Sequence, residues 1–193
     1  CCCGAGNHLG NDLNSKGGKG LGNRMIIIGG GGHAKVIIDC LRTRDIYEII
    51  GVVDPKLEKG NNVCGMMVLG SDDVLEEFRG QQNIYCAIGV GMSQASSKRR
   101  DLFLKLRSME FQLPGIHQMT AQISKEAIVA EGTQVMAGAI IQAFARIGEN
   151  TIINTGAVIE HDCVVGPHSH VATGTILGGG VTLGECCHIG MGS

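Results

Sequence analysis

From residue 123 onward an aliphatic side chain recurs every six positions: Ile123, Val129, Val135, Ile141, Ile147, Ile153, Ile159, Val165, Val171, Leu177, Leu183 and Ile189. Four positions after each stands a small residue, as at Ala127, Ala139, Thr151, Ala157, Cys163, Ser169 and Thr175, with Val181 the one larger exception. A period of six fits neither the 3.6 of an α-helix nor the 2 of a lone strand. It marks a parallel β-helix, in which each hexapeptide forms one flat side of a prism and three sides close a coil. The aliphatic residue fills the interior, and the small one fits where the chain bends. Coils stack at about 4.8 Å, so about four of them make a prism about 19 Å tall. Aromatics at 3% and the absence of Trp suit such thin, regular layers.

Upstream the pattern is different. "MIIIGGGGHAKVIIDCLR", from Met25, reads as a buried strand, a glycine turn, and a helix with Val36, Ile37, Cys40 and Leu41 on one face. "EIIGVVDP" is a second strand, stopped by Pro55 just after Asp54. "DDVLEEFR" reads as helix, "IYCAIG" as a third strand, and "SQASSKRRDLFLKLRSM" as a longer helix with Ser93 at its N-cap. Strands alternating with helices predict a parallel sheet with covered faces. The expected organisation is therefore an α/β Rossmann-like domain over 25–115, then the hexapeptide β-helix over 121–193. Residues 1–24 hold glycines and polar residues without a hydrophobic period. They are expected to be a disordered leader, not native to the fold, with Met25 as the start of the protein proper. The repeat breaks off inside its fourth coil at Ser193, so the sequence reads as a fragment lacking its terminal cap.

Several function classes are excluded. A formal charge of -2 provides no basic footprint for nucleic acid. No apolar run is long enough to span a membrane, and no secretory signal is present. The nine cysteines show no C-x-x-C spacing, and six of them are scattered among apolar runs. Small reduced thiols in a cytoplasmic protein account for them.

Two stretches carry chemistry. "GGGGHA" fits G-x-G-x-x-A at Gly29, Gly31 and Ala34, directly after a strand and opening a helix. There, glycines let a phosphate approach backbone N–H groups and the helix N-terminus. Asp54 is placed to accept a hydrogen bond from a ribose or base. The segment is too short for a full dinucleotide fold, so a nucleoside diphosphate is expected rather than NAD. His33 is expected in the loop near the ligand. The second stretch is "IEHDCVVGPHSH", residues 159–170. Ile159 faces inward, which sets His161 and Asp162 outward on a turn, flanked one rung below and above by Ala143 and Gly179. A carboxylate beside an imidazole fixes its tautomer and raises its basicity, as a general base requires. His170 and His188 differ by one coil and should stack about 5 Å apart. With His161 on another side, three convergent zinc ligands could form only between subunits.

At these residues the sequence resembles the NeuD/PglD-type sugar acetyltransferases, which comprise sialic-acid O-acetyltransferases and N-acetyltransferases acting on UDP-4-amino-sugars. The resemblance runs from Met25 to the end and rests on "GGGGHAKV", "VVD", "AIG", "INTGAVIEHDCVVGPHSHV" and "HIG". It implies a left-handed β-helix, a homotrimer with active sites between neighbours, and acetyl-CoA as co-substrate, with no metal. It implies that His161 is the base and Asp162 raises its basicity. Asn154, His170 and Met191 would contact acetyl-CoA, while Gly31, Gly32, His33, Asp54 and Gly89 would line the site for a sugar or UDP-sugar. Two departures stand out: Val90-Gly91-Met92 follow "AIG" where the family has Asn or Asp, and "IHQM" replaces a His-Pro start to the helix. The terminal coils that complete the family's acetyl-CoA pocket are also not in the sequence, which leaves the activity of this chain open. Three functions are therefore carried forward: sugar acetyl transfer by direct attack, an inactive sugar-nucleotide-binding module, and a zinc-dependent hydratase.

Overall fold

The computed structural model describes residues 22–92 and 97–193. The expected N-cap at Ser93 and nearly all of the expected leader lie outside the described residues. In the first unit, β1 (Arg24–Ile28), β2 (Glu48–Val53), β3 (Asn62–Val63), β4 (Met66–Gly70) and β5 (Ile84–Ile88) form one sheet in the order β3-β4-β2-β1-β5. Its strands run parallel except for the β3–β4 hairpin. That hairpin was not expected, because a two-residue strand is too short to display any alternation.

Helix α1 (Gly32–Arg44) buries Ala34, Ile37, Ile38, Cys40 and Leu41. The expected face is corrected at Val36, which is 46% exposed. Ile38, one turn beyond Ala34, takes its place. Residues Asp72–Glu77 form a 3-10 turn rather than an α-helix, and Leu75 is the one residue buried there. A single apolar anchor does not define a helical face. Helix α2 (Lys98–Ser108) packs Phe103 and Leu106 into the core with Ile26, Ile28 and Ile88.

The second unit is the parallel β-helix that the six-residue period predicts, left-handed as the resemblance implies, and built from two-residue strands β6 to β18. On the first face stack β7 (Gln122–Ile123), β10 (Ile140–Ile141), β13 (Val158–Ile159) and β16 (Ile176–Leu177). The second face holds β8 (Ile128–Val129), β11 (Arg146–Ile147), β14 (Val164–Val165) and β17 (Thr182–Leu183). The third holds β6 (Ile116–His117), β9 (Gln134–Val135), β12 (Ile152–Ile153), β15 (His170–Val171) and β18 (His188–Ile189). Strand β6 pairs His117 with Val135, so the stack begins ahead of Ala121. The period hid this because His117 occupies an aliphatic place.

Inward side chains from Val135 to Val171 are at most 2% exposed. The small residues do more than fit a bend. Thr133, Cys163, Ser169 and Thr175 each donate to a carbonyl fifteen residues on, at 2.8–3.1 Å. The bend itself belongs to the residue before them: Gly138, Phe144, Asn150, Gly156, Asp162, His168, Gly174 and Gly180 all have φ between 54° and 72°. Glycine, Asn and Asp adopt that left-handed region most readily, and Phe144 and His168 carry its strain.

The first unit covers the third face of the prism. Outward side chains on that face are buried from Ile116 to His170, Ile152 at 0% and Gln134 at 2%. Arg99 spans the junction, donating to the carbonyls of Ile88, Val90 and Asn150. Gly132, with φ 69°, lies against Phe103, where a Cβ would stand 2.7 Å from the ring. Among the described residues, no helix is long and apolar enough to cross a membrane.

Candidate active site

The glycine turn joins β1 to α1 beneath the C-terminal end of the sheet. Asp54 closes it: one carboxylate oxygen accepts the Gly30 N–H at 2.7 Å and the other accepts the Lys56 N–H at 2.8 Å. Asp54 thus holds the turn through both of its carboxylate oxygens. A Cβ on Gly30 would meet Leu57 at 2.5 Å, whereas one on Gly31 or Gly32 would meet nothing within 4 Å. Gly31 and Gly32 thus form the open lip of the turn. Behind them α1 presents its first N–H groups with no capping side chain and no acidic residue in its first turn. Gly89 is buried, and its smallness serves packing, since a Cβ would stand 2.6 Å from the Gly29 carbonyl oxygen and 2.7 Å from Ala34.

His33 is corrected from loop to helix: it sits in the first turn of α1 and bonds across the junction to Gln134 at 2.7 Å. Burial holds its imidazole down to about 4.

His161 and Asp162 lie on the corner between the first and second faces. His161 Nδ1 donates to Asp162 Oδ2 at 2.8 Å, and both side chains are more than 60% exposed. The Asp162 hydrogen bond raises the imidazole pKa, with the Asp162 and Glu160 charges acting in the same direction. With Nδ1 carrying the bonded proton, Nε2 is left as a free acceptor. A Cβ on Gly179 would lie 2.7 Å from Nε2, so the glycine one rung above keeps that space open. Asp162 has a second constraint, its left-handed φ of 59°.

Asn154 and His170 are brought together, with Asn154 Nδ2 donating to His170 Nε2 at 3.0 Å. His170 Nδ1 donates to the Met92 carbonyl at 2.8 Å. Both ring nitrogens are therefore engaged, and the ring is only 8% exposed. Met191 is 80% exposed on the corner that Asn154 shares, between the third and first faces. The His170 and His188 rings stack edge to face at 4.8 Å. Among the described residues, no three His, Cys, Asp or Glu side chains converge as a metal site.

One chain does not bring these groups together. His161 stands on a different corner from Asn154 and Met191, and the glycine turn belongs to the unit covering the third face.

Residues 24–105 match the PglD N-terminal domain family, and residues 144–179 match the bacterial transferase hexapeptide (six repeats) family. PerB from Caulobacter crescentus, solved with CoA and GDP-perosamine, is 35% identical over 87% of this chain and 86% of that one, with a TM-score of 0.68. The chain belongs to the NeuD/PglD-type sugar acetyltransferases. The acetyltransferase domain of PglB from Neisseria gonorrhoeae FA1090 is 29% identical, with 88% of this chain and 80% of that one covered and a TM-score of 0.81. A histidine-to-alanine variant of the Caulobacter crescentus GDP-perosamine N-acetyl transferase, solved with CoA and GDP-perosamine, is 34% identical, covers 87% and 86% of the two chains, and has a TM-score of 0.71. Curated protein sequences give no match. The PglB acetyltransferase domain has also been solved in complex with acetyl coenzyme A, at 26% identity and a TM-score of 0.74.

Sequence reasoning passed over two polar residues in this acetyltransferase, Gln134 and Arg99. Arg99 lies in the charged stretch "SSKRRD" of the helix, where nothing in the sequence distinguishes it from Lys98 or Arg100. Gln134 gave no signal, because its column also holds Ile152, His170 and His188, so a polar residue there does not stand out.

Proposed function

We propose that this acetyltransferase moves the acetyl group of acetyl-CoA onto the amino group of a nucleotide-linked amino sugar, with His161 as general base. The observation that carries the reading is the His161–Asp162 pair, which leaves Nε2 bare beside the space above Gly179. As the amine nitrogen attacks the thioester carbonyl, Nε2 takes its proton and Asp162 stabilises the imidazolium. The C–N bond forms, the C–S bond breaks, and the proton passes to the departing CoA thiolate. No acyl-enzyme is needed: the Cys163 thiol is 0% exposed, faces inward, and bonds the Gly178 carbonyl. The choice of amine over hydroxyl draws on the relatives named as perosamine N-acetyltransferases.

The sugar nucleotide sits at the glycine turn, its phosphates against the open lip at Gly31 and Gly32 and the N-terminus of α1. Asp54 and Gly89 shape that turn. Acetyl-CoA runs along the corner of Asn154 and Met191, with His170 acting through Asn154, whose amide it orients. Because the base stands on another corner, the complete site forms between copies, and a homotrimer supplies that arrangement. The apolar column Ile140, Val158 and Ile176 on the first face, Ile176 being 63% exposed, is the contact surface.

The test is CoA release from acetyl-CoA with UDP- and GDP-linked 4-amino-sugars and free sialic acid as acceptors. Release with an amino-sugar nucleotide is expected. Release with sialic acid alone would assign O-acetylation instead. Sugar-nucleotide binding without acetyl-CoA binding would make the chain a binding module.

A further inference from the structure

A buried amide from the β-helix reaches into the nucleotide-binding turn. Gln134 is 2% exposed on the third face, and both ends of its side chain are used. Its Nε2 donates to the Ile88 carbonyl at 3.0 Å, and its Oε1 stands 2.7 Å from His33 Nε2. We propose that Gln134 is a positioning residue that fixes His33 in the tautomer whose bare Nδ1 accepts from a hydroxyl or N–H of the nucleotide, rather than from its phosphates. The inference rests on the reading that the glycine turn takes the sugar nucleotide.

A carbonyl only accepts, so the amide nitrogen of Gln134 must face Ile88 and its oxygen must face His33. An amide oxygen also only accepts, so His33 Nε2 must carry a proton. The other nitrogen is then either bare, in the neutral ring, or protonated, in the cation. Burial, with the Arg99 charge facing the ring, keeps His33 neutral at physiological pH, against the Gln134 hydrogen bond, which favours the cation. Nδ1 is therefore a bare lone pair, with no hydrogen-bond partner among the described residues and not among the sealed polar atoms. Phosphate oxygens have no proton to give it. A ribose or sugar hydroxyl, or a base N–H, does. The turn thus divides its work: backbone N–H groups take the phosphates, and His33 reads a donor group beside them. A buried glutamine is costly unless both ends are satisfied, and Gln134 meets that condition only with His33 in this tautomer.

The test uses the full chain with 15N-labelled histidine, and UDP and GDP as probes. In the free protein, NMR should show His33 protonated on Nε2 and bare on Nδ1 from pH 5.5 to 8. Adding the nucleotide that binds should shift Nδ1. Gln134→Met, which keeps the shape and removes the polar ends, should populate both tautomers and weaken nucleotide binding about twofold, the inverse of the fraction of rings left competent. The KM for acetyl-CoA should not move. Gln134→Glu should restore the tautomer but let the ring charge, so nucleotide affinity becomes pH-dependent near neutrality. Should Gln134→Met fail to fold, the wild-type tautomer and Gln134→Glu decide. A wild-type His33 protonated on Nδ1, or unchanged tautomer and affinity in Gln134→Met, would overturn the inference. The predicted tautomer with no binding of either nucleotide would instead overturn the reading of the turn, and this role with it.

Discussion

Arg99 and Asn150 hold each other from opposite units: Arg99 Nε donates to the Asn150 carbonyl at 3.2 Å, and Asn150 Nδ2 donates to the Arg99 carbonyl at 3.3 Å. Arg99 is 2% exposed and, among the described residues, has no carboxylate partner and leaves Nη2 without a hydrogen bond. Burial lowers its pKa to about 9, so it remains charged at neutral pH. Its other N–H groups satisfy three carbonyls at the junction. Arg99→Met strands them, and should cost about 3 kcal/mol, or roughly 10 °C in Tm. Arg99→Lys should not recover the loss, since one ammonium cannot reach all three. Calorimetry checks both.

The glycine turn separates folding from binding at adjacent positions. Gly31 has an ordinary φ of -77° and open space where a Cβ would go. Gly31→Val should leave Tm within about 1 °C and abolish nucleoside-diphosphate binding by titration calorimetry. Gly30→Val should lower Tm as well, because its Cβ would meet Leu57 at 2.5 Å. Asp54→Ala should loosen the turn and weaken binding more modestly.

Two histidines set the acid limit of stability. Burial depresses both His33 and His117 from 6.5 to about 4. A depressed folded pKa means the contribution is full above pH 6.5 and is lost as pH falls from 6.5 through about 4. Tm should therefore drop across that window. His117 occupies an inward place opposite Val135, and its Nε2 is buried without a partner. His117→Val should raise Tm at pH 5 and flatten the acid slope.

The apolar column on the first face gives an assembly prediction. Val158 pairs with Ile140 below and Ile176 above. Val158→Asp places a charge in the middle of that contact. Light scattering at micromolar concentration should show a trimer for the wild type and smaller species for the variant.

The β-helix was legible because one face of every hexapeptide obeys a single demand, burial, and Val135 to Val171 repeat it without interruption. The pairing of His161 with Asp162 was legible for the same reason, since the inward phase fixes what points outward. What escaped the sequence were relations between units. Gln134 and Ile152 share a phase with exposed Ile128, and only the docked first unit makes their surroundings differ. His33 looked like a loop residue because a glycine run precedes it, yet α1 starts at Gly32. Val36 and Ile38 were exchanged because a buried strand and a half-buried helix begin with the same apolar run.

Acetyl transfer with His161 as base is tested most directly by single-turnover acetylation of an amino-sugar nucleotide by His161→Ala, compared with the wild type. General-base catalysis is worth about 10²–10⁴-fold. The variant should lose turnover by that factor while binding acetyl-CoA and nucleotide nearly unchanged, because an exposed corner residue contributes little to the fold. The wild-type rate should fall as pH drops through a pKa above 6.5, since the base must be unprotonated and Asp162 holds its pKa up. Asp162→Asn, which keeps the left-handed turn, should move that inflection to lower pH with a smaller loss of rate. Wild-type turnover in His161→Ala, with the same pH profile, would contradict the account.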